Sequence, residues 1–113
     1  MNVINRAAAI IKPKEPYLEW ANRIAQSNES LDDLVKSSRA ILIPNDAYDG
    51  MEMFLKENFL RIFEMELESW VPDKSFWPSE RDYDTFTKWF DVEVYALVVD
   101  VSEAELLSEP YDG

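Results

Sequence analysis

Apolar residues recur along this chain in two rhythms, near-continuous or alternating in some stretches and at helical spacing in others. Each change of rhythm marks a predicted element. Residues 3–11, Val-Ile-Asn-Arg-Ala-Ala-Ala-Ile-Ile, read as a buried strand. The three alanines are equally compatible with a helix, but the β-branched flanks and the stop at Pro13 favour a strand. Glu15 and Pro16 open a predicted helix to about Gln26, with Pro16 in the first turn, where its missing N–H costs nothing. Leu18, Ala21 and Ile24 or Ala25 fall on one face of it. Ser30-Leu-Asp-Asp predicts a cap for a short helix through Val35. Arg39 to Ile43, stopped by Pro44, predicts a short central strand, because Ala40-Ile-Leu-Ile is continuously apolar.

Asn45-Asp-Ala-Tyr-Asp-Gly predicts a turn. Asp49, followed three residues later by Glu52, has the form of a capping box for the longest helix, about 51–70. Met51, Phe54, Leu55, Phe59, Ile62, Phe63 and Trp70 form its apolar side. Glu57, Arg61, Glu64 and Glu68 form the other, with Glu57 and Arg61 in the favourable i,i+4 order. Pro72 ends it, and Asp73-Lys-Ser-Phe-Trp-Pro is a connector. Asp82 predicts a cap for a helix to about Phe90, with Tyr83, Phe86, Trp89 and Phe90 on one side. Val92 to Val101 reads as a strand, with Val92, Val94, Ala96 and Val98 facing one way and Tyr95, Leu97, Val99 and Val101 the other. Glu103 to Gly113 is a short acidic tail. The expected fold is one compact α+β domain, residues 1–113, in the order β-α-α-β-α-α-β. A small three-stranded sheet with helices packed mainly on one face is the simplest architecture for that order.

Composition narrows the chemistry. The chain holds no histidine and no cysteine. It therefore lacks the side chain best suited to proton transfer near neutral pH, thiolate nucleophiles, and zinc sites built on either residue. Its glycines are Gly50 and Gly113, so a glycine-rich phosphate loop cannot form. No Gly-x-Ser-x-Gly or Ser-x-x-Lys nucleophile motif occurs. Acidic residues outnumber basic ones 23 to 11, for a net charge of -12. That field repels nucleic acid and membrane phosphates, and it favours a basic protein partner or a cation, or serves only solubility. No signal peptide and no membrane span are visible, so a cytoplasmic protein is expected. No cofactor is implied.

The densest tract runs from Trp70 to Asp91: Trp70, Asp73, Trp77, Pro78, Arg81, Phe86, Trp89, Phe90 and Asp91 in the spacing W-x2-D-x3-W-P-x2-R-x4-F-x2-W-F-D. This resembles a family of small bacterial proteins of unassigned function that carry the same tract. The likeness extends to the Asn5-Arg6-Ala7 strand and to a terminal strand ending in Val99-Asp100. The resemblance implies a small bacterial protein and carries over no catalytic residue. Most of the tract has a structural explanation in packing and chain direction. Arg81 is placed to pair with Asp73 or Asp91, or to stack on a tryptophan. The functional reading of Trp77, Arg81, Asp73 and Asp91 is a binding hot spot, because Trp and Arg dominate interface energies.

Other candidates are weaker. Asn45 to Gly50 looks like the start of a calcium loop, but Ala47 stands where an oxygen ligand belongs and Lys56 where the bidentate Glu belongs. Glu64 and Glu68 share a face of the helix while Glu66 points elsewhere, and the three read as solvated rather than as a catalytic pair. Asp100 is expected to cap the segment Ser102 to Leu107. The expected function is non-catalytic: an acidic interaction or regulatory protein that binds a basic protein. The competing class is a carboxylate-based enzyme that depends on a divalent cation.

Overall fold

The computed structural model describes residues 1–111; Asp112 and Gly113, the end of the acidic tail, lie outside the described residues. The elements are β1 (Asn2–Val3), β2 (Arg6–Pro13), α1 (Glu15–Ala25), α2 (Leu31–Lys36), β3 (Arg39–Pro44), α3 (Met51–Trp70), α4 (Tyr83–Trp89), β4 (Phe90–Tyr95) and β5 (Val99–Asp100). Short 3-10 turns occupy Asn45–Tyr48 and Lys74–Phe76. The protein is a mixed α+β fold. Its main sheet has three antiparallel strands in the order β3-β2-β4, and β1 pairs with β5 in a separate antiparallel ribbon.

Register explains why the sheet has two unlike faces. Ala7 lies opposite Ile43, Ala9 opposite Ile41 and Val94, and Ile11 opposite Val92. This face is buried. Its small alanines leave room for Met51 and Phe54 from the start of α3. On the other face Ala8 lies between Leu42 and Tyr95, and Ile10 between Ala40 and Glu93. There Leu42 and Tyr95 are exposed. The centre of the core is aromatic. Phe63 of α3 meets Phe86 and Trp89 of α4 and Phe90 of β4 at ring-centre distances of 5.8, 5.5 and 5.7 Å. Tyr17 and Trp20 of α1 close on the same cluster, 6.2 and 5.9 Å from Trp89. Phe63–Phe90 and Tyr17–Trp89 meet edge to face and the other three pairs are tilted, and such contacts add to the area they bury.

Several sequence expectations need correction. The first strand is broken at Ile4-Asn5, and the last is 90–95 and 99–100 rather than continuous over 92–101. Between Ala8↔Tyr95 and Val3↔Val99 the N-terminal segment advances one residue more than its partner. A bulge of this kind stops a ladder and restarts it in new register. The strand Arg39–Pro44 is an edge strand, not a central one, and only Ile43 in it is buried. Its continuous apolar run reflects a groove beside the edge. Gly50, not Asp49, caps α3, without a side-chain bond. The i,i+4 ion pair on α3 is Glu52–Lys56 at 3.2 Å rather than Glu57–Arg61. Phe90 belongs to β4 and not to the preceding helix. Ser30 and Asp82 do cap their helices, accepting from Asp33 N at 3.1 Å and Thr85 N at 2.8 Å.

Candidate functional site

The connector between α3 and α4 is built on tryptophan indoles that donate to backbone carbonyls. Trp77 donates to Val71 O at 2.7 Å, and Trp20 reaches across from α1 to Phe76 O at 3.0 Å. Each bond satisfies a carbonyl that the irregular backbone leaves without a helix or sheet partner. These bonds hold a loop that has no regular secondary structure between Trp77 and Asp82. Trp77 itself is only 9% exposed. Its ring lies under two cations, Lys74 Nζ and the Arg81 guanidinium, 5.8 and 5.7 Å from the ring centre.

Arg81 stacks on Trp77, donates to Pro78 O at 2.8 Å, and stands 3.8 Å from Glu64 Oε1 of α3. Its Nε is buried without a hydrogen-bond partner. It pairs with neither Asp73 nor Asp91, so of the expected alternatives it is the stack on a tryptophan that the structure has. Asp73 is engaged locally, accepting from Ser75 N at 3.0 Å and Ser75 Oγ at 2.7 Å, and these bonds pull its carboxyl below the usual range. Asp91 lies on β4, 3.5 Å from Lys14 Nζ. The structure thus brings Trp77 and Arg81 together and leaves both aspartates outside the pair. Sequence reasoning missed Phe76, which is 52% exposed at the tip of the same connector. The signal available was an aromatic residue in a proline-flanked loop with no helical face to occupy.

A second cluster overturns the reading of Glu66 as solvated. Glu66 is 8% exposed, and the Arg39 Nε of β3 donates to it at 2.9 Å. Its backbone carbonyl accepts from the Tyr17 hydroxyl at 2.7 Å. Burial pushes the Glu66 carboxyl up against the opposing pull of Arg39. Burial, and after it the Glu66 charge, pushes the Tyr17 hydroxyl up as well. This is a link between α1, α3 and β3, because every polar atom named is turned inward to a protein partner.

Between β3 and α3 runs an open groove of about 470 Å³, floored by Ile41, Ile43, Phe54, Ile62 and Met65. Arg61, Glu64 and Glu68 also line it, as does Tyr111 from the tail. Asp100 accepts from Ser102 N at 2.9 Å, so it caps a turn, but no helix follows. Among the described residues no three acidic side chains converge closely enough to hold a metal ion, and no helix is long and apolar enough to cross a membrane. Set against protein families, curated proteins and solved structures, the chain matches none of them.

Proposed function

We propose that this chain is a non-catalytic acidic interaction or regulatory protein of bacterial type that binds a basic protein partner. The observation that carries the reading is how its charge is distributed. The net charge is -12. Among the described residues seven cations are each within 4.0 Å of a carboxylate, so most positive charge is locally neutralised. The surplus carboxylates face solvent, where they steer and orient a positively charged surface.

The connector is the proposed contact patch. Phe76 is its exposed anchor, Arg81 lies on Trp77 beside it in the chain, and Asp73, Glu80, Asp82 and Asp84 are the acidic residues that flank it in sequence. Trp77 supports the patch from beneath, and Asp91 is not assigned to it. An aromatic anchor among polar residues has the composition of an interface hot spot.

Affinity purification of the tagged chain from its native cells at low and high salt tests this reading. The expected result is one basic protein, retained at low salt and released at high salt. Phe76→Ala and Arg81→Ala should each weaken its capture about tenfold or more, with melting temperature held for Phe76→Ala. A chain that captures no basic protein at low salt would sink the proposal. So would a partner whose retention does not respond to salt.

A further inference from the structure

The tail is the part of the chain that the fold does not explain. Residues 101–111 carry no regular structure and are exposed throughout, yet Leu106 and Tyr111 each border a cavity of the body. Leu106 lines a cavity with Val3, Arg6 and Leu42 at the open side of the sheet. Tyr111 lines the groove floored by Ile41, Ile43 and Met65, on the side of α3. Leu42 and Ile43 are successive residues of β3 and point to opposite faces of the sheet. Leu42 borders both cavities, so the tail between Leu106 and Tyr111 passes beside the free edge of β3 at Leu42.

Its attachment is slight. Leu106 is 67% exposed and Tyr111 64%. The hydrogen bonds near its root are local, Ser102 N to Asp100 Oδ1 and Ala104 N to Ser102 Oγ. No backbone hydrogen bond joins it to β3 among the described residues. The charges match nonetheless. The tail bears Glu103, Glu105 and Glu109 and no Lys or Arg. Arg6 and Arg61, which border the two cavities it touches, have no carboxylate partner among the described residues.

We propose that residues 102–111 form a strap that occupies the groove and covers the free edge of β3, and that a cationic partner lifts it by engaging Glu103, Glu105 and Glu109. The second clause rests on the basic-partner reading above; the first does not. An exposed strand edge is a template for pairing with another chain, and a loop laid across it blocks that pairing. Lifting the strap would present the outward amides and carbonyls of β3, beside an apolar groove, to an extended segment of the partner. A tether of this length holds its end at an effective concentration of about 1 mM, so docking tighter than about 1 mM keeps the groove mostly covered.

Methyl NMR of the full chain tests the strap through the ring current of Tyr111. Tyr111→Ala should displace the methyl resonances of Ile41, Ile43 and Met65, while Tyr111→Phe should leave them in place. A synthetic peptide of residues 102–113, added to the Tyr111→Ala chain, should return them toward their native positions. A lysine-rich peptide added to the native chain should move the same resonances toward the Tyr111→Ala positions, and salt should reverse the movement. Unmoved methyl resonances in Tyr111→Ala, or no response to the added peptide, would overturn the strap. If the strap holds but the lysine-rich peptide moves nothing, the lifting step fails, and with it the support this inference takes from a basic partner.

Discussion

Glu66 shows how one side chain sets a pH dependence. Its carboxyl lies above its ordinary value of 4.5 in the folded chain, because desolvation outweighs the bond from Arg39. A carboxyl raised on folding binds more protons in the folded state than in the unfolded one. Its contribution to stability is therefore present at low pH and is lost as pH rises from the unfolded value through the folded one. Above that window the loss is constant. Glu66→Gln mimics the protonated form at nearly the same volume. Denaturant unfolding of both chains from about pH 4 to pH 7 should show the Gln variant gaining on the native chain as pH rises, then holding its lead. A difference that is flat, or of opposite sign, would mean that the Arg39 bond dominates. Removing the partner instead is harsher. Arg39→Ala leaves a buried carboxylate unpaired, but Arg39 is 31% exposed and water can replace part of it, so a loss of about 2 kcal/mol is expected rather than the larger cost of a fully buried pair.

At the scale of elements, the caps separate real helix signals from apparent ones. Ser30 accepts from Asp33 N at the start of α2, so Ser30→Ala should cost about 1 kcal/mol. Asp49 makes no capping bond to α3, so Asp49→Ala should stay within about 0.5 kcal/mol of the native chain. Unfolding midpoints in urea measure both, and an equal cost at the two sites would restore Asp49 as a cap. The contrast shows where sequence is legible. The helix 51–70 is visible because Met51 to Trp70 holds one apolar period over many turns, and Pro72 closes it. The Ser30 and Asp82 caps are visible because they act within three residues. Strand position is not local. Arg39 to Ile43 reads as central because its apolar residues are consecutive, and only the partners β2 and α3 reveal an edge beside a groove. The breaks at Ile4-Asn5 and at Ala96 to Val98 depend on a register slip between two segments far apart in sequence. Glu66 was misread for the same reason: its partner Arg39 is 27 residues away. The Trp77–Arg81 stack was within reach, being four residues apart, whereas the pairing of Arg81 with Glu64 required the packing of α3 against the connector.

For the molecule as a whole, net charge sets the balance. With a surplus of 12 carboxylates over an envelope of 43 × 30 × 26 Å, many like charges are separated by more than the Debye length of about 10 Å at 0.1 M salt. Their mutual repulsion destabilises the compact state at low salt and is largely screened at 0.1 M. Salt also weakens the favourable exposed pairs, such as Lys56–Glu52 and Lys88–Asp84. Such exposed pairs are weak, and close partners are screened least. The surplus repulsion therefore wins. Raising sodium chloride from about 0.01 M to 0.1 M should stabilise the chain by on the order of 1 kcal/mol, which is about 4 °C in melting temperature, with a plateau beyond. Chloride is the right anion, because sulfate stabilises proteins by surface exclusion whatever their charge. A melting temperature that falls over this range would mean that the ion pairs outweigh the surplus. The net charge of -12, and with it the long-range attraction for a basic partner, would stand in either case.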